Sequence, residues 1–425
     1  MKEFLLERKN YIAAYVIGYL MRGLIYHFFP PVNDILMWIT ILWPLILIGS
    51  DLYRRRFRMD RMKAALCIFL LAALTSTVLH IQAATPEVWV SLWNACGLIL
   101  ILFPAAETEE PKPYHRFFRR LFTAVFALIS LMAAGSLFLY LCFRAGISLP
   151  GGLSGEEQLF TYGHLGEEKR FCGLFGYSTV GGNLCTIAVM AGIYLLEQNV
   201  LPKWLIMSCE AVLLAMVLLL DVRTSMVELF LVGVFLVWIT LRKRMPAKRV
   251  FLLFSAAAVI AAAGVWILKQ NAIMSFLADM KTDPVGTMRF LTTGRSVYWT
   301  QAWEGFLKHP ILGQGWNNNT GVKYFDSHNL LFNLLLWTGL TGTIAFFTFL
   351  GLLVQRMWKD RSRIEAQKLI GLVCVVIGVF AASMLERTLI GTENTTVDTS
   401  CFWLAAGMLG YGIRHGSESE QKPEA

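Results

Sequence analysis

Charge is scarce in this sequence, and several motifs of common enzymes are absent. Only 16% of the 425 residues are charged and 56% are hydrophobic, which leaves too little polar material to cover the core of a soluble domain. There is no P-loop and no glycine-rich dinucleotide-binding motif. The eight cysteines include no CxxC pair and no cluster with histidine at metal spacing, which disfavours a redox motif or a metal site.

Long apolar runs are what the sequence does contain. Each is long enough to cross a hydrocarbon layer of ~30 Å, so the chain is predicted to be an all-α polytopic membrane protein with about 12 transmembrane helices. They form a single transmembrane domain over residues 1–413. The predicted spans are residues 10–28, 35–51, 64–82, 87–104, 120–143, 180–197, 203–220, 224–241, 250–268, 328–353, 368–385 and 399–413.

The basic residues indicate the orientation of these spans. The first run contains Arg22 and lacks a small-residue cleavage site, so it is predicted to be an uncleaved span. The runs 54–56 and 242–244 are wholly basic and lie in short connections, which the positive-inside rule places in the cytoplasm. Both termini are then cytoplasmic, with residues 414–425 as a disordered tail. The net charge of +9 therefore reflects topology, and no nucleic-acid partner is expected.

Two predicted external loops are unusually long, at about residues 144–179 and 269–327. Loops of this length usually carry function or are disordered. The second contains a helical pattern, which predicts an amphipathic helix lying flat on the outer surface. Its apolar face is Tyr298, Trp299, Ala302, Trp303, Phe306 and Leu307.

Arginines in the external segments are the first candidate site residues. Arg170 lies in the first long loop, Arg223 in a tight turn, and Arg289 and Arg295 in the second long loop. A guanidinium group stays charged and holds phosphate oxygens by two-point hydrogen bonding. A short external turn has no topological need for a cation. The set therefore predicts an anion site, and the alternative is a group of solvated charges.

His328 is the second candidate, at the outer boundary of the tenth span. An imidazole there can accept a proton from a hydroxyl group at neutral pH, and Asp326 is expected to orient it. Glu210 and Glu228 lie within spans, where an ionisable group indicates a function by default. The structural interpretation of Glu228 is an ion pair with the nearby Arg223. The external carboxylates show no pattern typical of a divalent cation site, so metal independence is expected.

Residues 170–342 resemble the O-antigen ligase and O-antigen polymerase superfamily. The resemblance is carried by five pieces in order: RFCGLFGYSTVGGN from Arg170, DVRTS around Arg223, Gly294-Arg295 with Trp299 and Ala302, HPILGQGW from His309, and His328-Asn329 followed by Gly339-Leu340-Thr341-Gly342. In the second piece, Asp-Val replaces the small residues usual before the arginine. The rest of the chain resembles the family by topology only.

The resemblance implies a membrane glycosyltransferase similar to the class C integral-membrane architecture, in the bacterial cytoplasmic (inner) membrane. Its donor would be an undecaprenyl-diphosphate-linked glycan and its acceptor a sugar hydroxyl on a glycan or lipid-glycan, with no cofactor and no metal. Carried over to this chain, Arg170, Arg223 and Arg295 hold the diphosphate, and His328 acts as base. Arg289 joins this set as a further external arginine. The expected site then has three groups of residues: catalytic His328 and Arg295, diphosphate-binding Arg170, Arg223 and Arg289, and supporting Asp326, Asn329 and Trp299.

Several alternatives remain open at this stage. The histidine motif favours a ligase, whereas the spacings from Arg170 to Gly181 and from Arg289 to Gly305 are similar to those of polymerase loops. A secondary transporter or flippase of lipid-linked glycans has a similar number of spans, but it is expected to place ionisable groups and broken helices near the midplane. The third hypothesis is that the protein is a purely structural membrane scaffold. The sugar, the acceptor and the stereochemistry are not encoded in any recognisable pattern.

Overall fold

The computed structural model describes residues 7–25, 32–53, 59–108, 111–149, 155–162, 169–246, 294–317, 327–386 and 396–413, together with some positions among 248–286 and Leu389. Helices dominate this part of the chain. They are α1 Arg8–Ile25, α2 Val32–Tyr53, α3 Arg61–Leu79, α4 Pro86–Gly97, α5 Ala105–Thr108, α6 Pro111–Arg144, α7 Glu156–Leu159, α8 Ser178–Gln198, α9 Lys203–Leu220, α10 Arg223–Arg244, α11 Arg295–Lys308, α12 Leu330–Lys359, α13 Arg361–Ala366, α14 Ile370–Ser383 and α15 Thr396–Gly407.

The all-α membrane class predicted from the sequence is confirmed. By length and composition, seven of the helices in the described residues can cross a membrane: Arg61–Leu79, Pro86–Glu107, Pro113–Arg144, Ser178–Gln198, Lys203–Leu220, Arg223–Arg244 and Leu330–Lys359. Shorter apolar helices occur at Leu42–Asp51 and Ile370–Ser383. The predicted ninth span, 250–268, and the tail 414–425 lie outside the described residues, except for positions 250, 252 and 253. A total of about twelve spans therefore remains a prediction.

Local sequence explains where the central helices begin and end. Asp60 caps α3, because its Oδ1 accepts a hydrogen bond of 2.9 Å from the backbone N–H of Lys63. Asn199 and Asp221 end α8 and α9 in the left-handed region, with φ of 51° and 50°. Asn and Asp tolerate this conformation better than other side chains do. The turn at Asp221 lets α10 begin two residues later, at Arg223.

Helices α8, α10 and α14 pack together, and two glycines of α14 show how they run. Gly371 lies against Tyr194 near the end of α8, whereas Gly378 lies against Met190, earlier in α8, and against Glu228 in α10. Later residues of α14 therefore contact earlier residues of α8, so the two helices are antiparallel. The chain after α14 emerges at the end of the bundle where α8 and α10 begin. This end is called the site end below.

The segment HPILGQGW packs into a break in α12. At Gly339 the backbone has φ of 60° and ψ of −163°, a conformation that is essentially restricted to glycine. The freed backbone groups bond to the segment: Leu340 N–H donates to Pro310 O at 2.8 Å, and Gln314 N–H donates to Leu336 O at 2.8 Å. Irregular backbone at membrane depth is tolerated where protein satisfies it in this way.

The helix predicted in the second long loop is present as α11, but its buried face differs from the prediction. Ala302, Gly305 and Phe306 are buried, and α11 packs on α12. Trp303 and Leu307, assigned to the same apolar face from the sequence, are 45% and 57% exposed. The reason is that α12 approaches closely at Gly305, where a Cβ atom would lie 2.5 Å from Leu336 Cδ1. The predicted position flat on the membrane surface stays a prediction.

The first long loop contains a small antiparallel hairpin that precedes α8. Its strands are β1 Phe160–Tyr162 and β2 Lys169–Phe171, with Phe160 opposite Phe171 and Thr161 opposite Arg170. The Phe160 and Phe171 rings contact each other at 5.6 Å, and Phe171 is buried while Lys169 and Arg170 are exposed. Because successive side chains of a strand point to opposite faces, Phe171 is directed into the bundle and Arg170 away from it.

Candidate functional site

Three charged or polar side chains from distant segments meet at the site end. Arg295 is the first residue of α11, His328 precedes α12, and Glu386 follows α14. The Arg295 guanidinium forms an ion pair with Oε1 of Glu386 and also donates to the backbone carbonyl of Leu385. Nδ1 of His328 lies 3.2 Å from Oε2 of the same carboxylate. One carboxylate therefore holds both candidate catalytic residues.

The environment of this cluster favours the ionised carboxylate. The side chain of Glu386 is 12% exposed, and those of Arg295 and His328 are 26% and 29% exposed. Burial by itself raises the pKa of Glu386, but the hydrogen bond from His328 and the charge of Arg295 outweigh it, so the pKa lies below its usual range. The carboxylate is thus anionic at neutral pH and accepts hydrogen bonds on both oxygens.

Backbone geometry around His328 depends on its neighbours in sequence. His328 has a φ of 50°, in the left-handed region that is uncommon for side chains other than glycine. Ser327 on one side is bonded through its N–H and hydroxyl to Asn333 Oδ1, at 2.9 and 2.7 Å. Its carbonyl accepts a hydrogen bond of 2.9 Å from Trp299 Nε1 in α11. These contacts hold the unusual conformation and orient the imidazole.

Asn329 connects α12 to the end of α14. Its Oδ1 caps α12 by accepting from the N–H groups of Leu331 and Phe332, at 2.9 and 3.3 Å. Its Nδ2 donates to the carbonyl of Met384 at 2.6 Å. The primary amide of Asn329 can do both, because its oxygen accepts while its nitrogen donates. Asn329 and Trp299, singled out from the sequence, thus lie beside the cluster.

The other predicted arginines lie apart from these contacts. Arg170 is exposed on β2, and Arg223 is exposed at the first turn of α10. Arg223 is at the site end, since α10 begins there, but within the described residues no contact joins Arg170 or Arg223 to the cluster. Arg289 and Asp326 lie outside the described residues. Among the described residues, Glu386 is an acid that contacts His328.

Glu386 was missed by the sequence analysis, although the chain carried a weak signal for it. It stands in the segment MLERTLI, directly after the predicted eleventh span, where an acidic residue has no role in topology. Proximity in sequence favoured Asp326 as the partner of His328, and that contact stays a prediction. Glu386 is 58 positions away from His328 along the chain, a separation that the tertiary structure closes.

The interpretation of Glu228 as the partner of Arg223 is wrong. Glu228 is 2% exposed, and its Oε2 accepts a hydrogen bond of 2.7 Å from the hydroxyl of Thr186 in α8. Arg223 lies more than one helical turn earlier, at the exposed start of α10, and points to a different environment. Asp398 of α15 is also buried, at 5% exposure. Glu210 of α9 is buried as well, at 9% exposure, so the described part of the bundle contains at least three buried acids that the site cluster does not use.

The fold and the cluster define a polytopic helical membrane protein with a polar site at one end of its bundle. The model of the O-antigen ligase family matches residues 211–347, about a third of the chain, which includes Arg295, His328 and the α12 break. This match supports the resemblance to the O-antigen ligase superfamily that the motifs indicated. No curated protein matches the chain.

Proposed function

We propose that this protein transfers or polymerises a glycan from an undecaprenyl-diphosphate-linked donor to a sugar hydroxyl on the external face of the bacterial cytoplasmic membrane, in surface polysaccharide biosynthesis. The match of residues 211–347 to the O-antigen ligase family supports a membrane glycosyltransferase-like role. The specific reaction is supported by the shared carboxylate of Glu386, which brings a guanidinium group and an imidazole together at the site end.

The imidazole of His328 is assigned the role of base. When Nδ1–H donates to Glu386, the lone pair of the ring is on Nε2. That nitrogen would take the proton of the acceptor hydroxyl as its oxygen attacks the anomeric carbon of the donor sugar. An anionic partner stabilises the imidazolium that forms and fixes the orientation of the ring. Glu386 is a positioning residue in this scheme, since it acts through His328 and Arg295.

Arg295 is assigned to the leaving group. The bond between the anomeric carbon and the diphosphate oxygen breaks, and the electron pair leaves with the diphosphate. A preorganised guanidinium group stabilises this developing negative charge. The guanidinium has five N–H donors, and the contacts to Leu385 and Glu386 are made through two of its nitrogens. Arg223 supplies a second cation at the same end, and Arg170 and Arg289 are proposed to complete the site when the donor binds.

Transfer from a purified lipid-linked donor is the direct test. The protein in nanodiscs, with donor and acceptor glycans, is expected to form product that is lost in His328→Ala and Arg295→Ala while the thermal unfolding of both variants stays near that of the wild type. Arg242→Ala, an exposed arginine at the opposite end of α10, is the matched control. Wild-type product from His328→Ala would contradict the assignment of the base. Growth of the donor glycan without added acceptor would indicate a polymerase, and dependence on a separate acceptor would indicate a ligase.

A secondary transporter or flippase is the second candidate, and two observations favour it. Glu228 and Asp398 are buried acids inside the bundle, where ionisable groups often mark transport pathways. Helix α12 is also broken, at Gly339. However, the break is filled by the segment around Ile311, and Glu228 is bonded to Thr186. Movement of a labelled lipid-linked glycan across proteoliposomes without any new glycosidic bond would support this candidate instead.

A further inference from the structure

Five polar side chains form a cluster of oxygen atoms inside the bundle, below the site end. Each is at most 5% exposed. The members of this oxygen cluster are Asn183 and Thr186 of α8, Ser225 and Glu228 of α10, and Asp398 of α15. Along α10, Glu228 lies roughly 8 Å below the start of the helix, at 1.5 Å per residue. The proposed transfer reaction uses none of these side chains, and ionisable groups within a membrane bundle usually have a function.

Contacts between three helices hold the oxygen cluster together. The Ser225 hydroxyl donates to Asn183 Oδ1 at 3.2 Å, and the side chain of Asn183 is hydrogen-bonded to the carboxylate of Asp398. Asp398 is also close enough to Glu228 for the two carboxylates to repel each other. Gly182 leaves space for the cluster, because a Cβ atom there would lie 2.5 Å from Ser225 Oγ. The packing of α8, α10 and α15 thus gathers oxygen atoms in one buried place.

The two acids of the cluster differ in how their oxygens are satisfied. Oε2 of Glu228 has a donor, the Thr186 hydroxyl at 2.7 Å. Oδ1 of Asp398 has no hydrogen-bond partner among the described residues, although the side chain is buried. A buried carboxylate oxygen without a partner is costly, and buried charges in proteins are normally paired or coordinate a metal ion. Oδ1 of Asp398 is therefore the position in the cluster that calls for a ligand.

The chemistry of the cluster favours a small monovalent cation as that ligand. Carboxylate, amide and hydroxyl oxygens suit hard cations, and no cationic side chain of the described residues acts on Glu228 or Asp398. Ca²⁺ takes about six to eight oxygen ligands and Mg²⁺ usually keeps several waters, which is more than five buried side chains accommodate. We propose that the oxygen cluster binds Na⁺, with Asp398 Oδ1 as its anionic ligand. This site is separate from the transfer reaction, for which no metal is expected.

Thermal unfolding of the purified protein in nanodiscs tests this site without any assay of transfer. It is measured in NaCl, in KCl and in choline chloride at equal ionic strength. NaCl is expected to raise the melting temperature by about 2–5 °C over the other two salts, because Na⁺ binds only the folded protein. Asp398→Asn should abolish this difference, and Ser225→Ala should raise the Na⁺ concentration at which half of it appears. Glu210→Gln is the matched control and should keep the full difference, since Glu210 is a buried acid outside the cluster.

Direct binding of radioactive Na⁺ to the wild-type protein gives a second measurement, which does not depend on the folding of any variant. Binding is expected to saturate and to be displaced by unlabelled Na⁺ but not by choline. Equal melting temperatures of the wild type in the three salts, or the lack of saturable Na⁺ binding, would show that protons alone neutralise the cluster and would overturn the site. A folded Asp398→Asn that keeps the full NaCl effect would place the ion elsewhere and overturn it as well. None of these results bears on the transfer reaction, so the two proposals fail separately.

Discussion

Arg295 and His328 contact different oxygens of one carboxylate. Arg295 pairs with Oε1 of Glu386, and Nδ1 of His328 lies 3.2 Å from Oε2. The three residues come from separate segments that each adjoin a helix: the start of α11, the entry to α12 and the exit from α14. Because both candidate catalytic residues contact Glu386, the carboxylate is the most informative position for mutation.

Glu386→Gln is expected to lower the rate of transfer by on the order of tenfold to a hundredfold, since general acid–base catalysis contributes about 10²–10⁴-fold and is only partly lost when the base is misoriented. The amide keeps the shape of the side chain but loses its charge. The measurement is initial rate with purified donor, together with thermal unfolding of the solubilised protein. Glu365→Gln is the control, because it removes only an exposed ion pair with Lys243 at 3.6 Å, and such pairs contribute little. Equal rates for the two variants would exclude a role for Glu386.

The contribution of Glu386 to stability should depend on pH in one direction. Its pKa is lowered in the folded protein, whereas in the unfolded chain its pKa is about 4.3. The contribution is therefore fully present above the unfolded pKa and is lost as the pH falls through the folded pKa. Thermal unfolding of the wild type and of Glu386→Gln at a series of pH values should show a difference at neutral pH that shrinks on acidification below about 4. A difference that stays constant would show that the charge of Glu386 is not what stabilises the contact.

Arg295→Lys is expected to reduce transfer severely although the positive charge is kept. The guanidinium reaches Leu385 O with one terminal nitrogen and Glu386 with the other, and a single ammonium group has no equivalent fork. The loss should be at least about tenfold in kcat/KM, which corresponds to roughly 1.4 kcal/mol of transition-state stabilisation. Arg242→Lys serves as the control for the same substitution at an exposed site. Full activity of Arg295→Lys would argue against two-point binding by this residue.

Gly339→Ala is expected to destabilise the protein by about 3 kcal/mol or more. Alanine is strained at φ of 60° and ψ of −163°, and its Cβ would overlap the backbone of Ile311 and Leu312. Gly351→Ala is a matched control in the same helix, because nothing lies within 4 Å of the added Cβ atom. Alanine there should be neutral or slightly stabilising, since it favours the helix by about 1 kcal/mol. Thermal unfolding measures both, and similar shifts for the two variants would contradict a specific role for the break.

Composition and pattern determined the class of this protein. Apolar runs long enough for the bilayer can only be helices, because every backbone polar group must be satisfied within the segment. Motifs close together in sequence indicated the family, and they placed Arg295, His328, Asn329 and Trp299 in one region. These features depend on local chemistry, which a sequence displays directly.

Tertiary structure alone decided which residues meet. It brought Glu386 to His328 and Thr186 to Glu228. It also decided that α11 buries the face that contains Ala302, Gly305 and Phe306. Each of these outcomes depends on how antiparallel helices pack at positions that are remote in sequence. Hydropathy assigns a residue to a span or a loop, but it carries no information on which neighbouring helix supplies the contact.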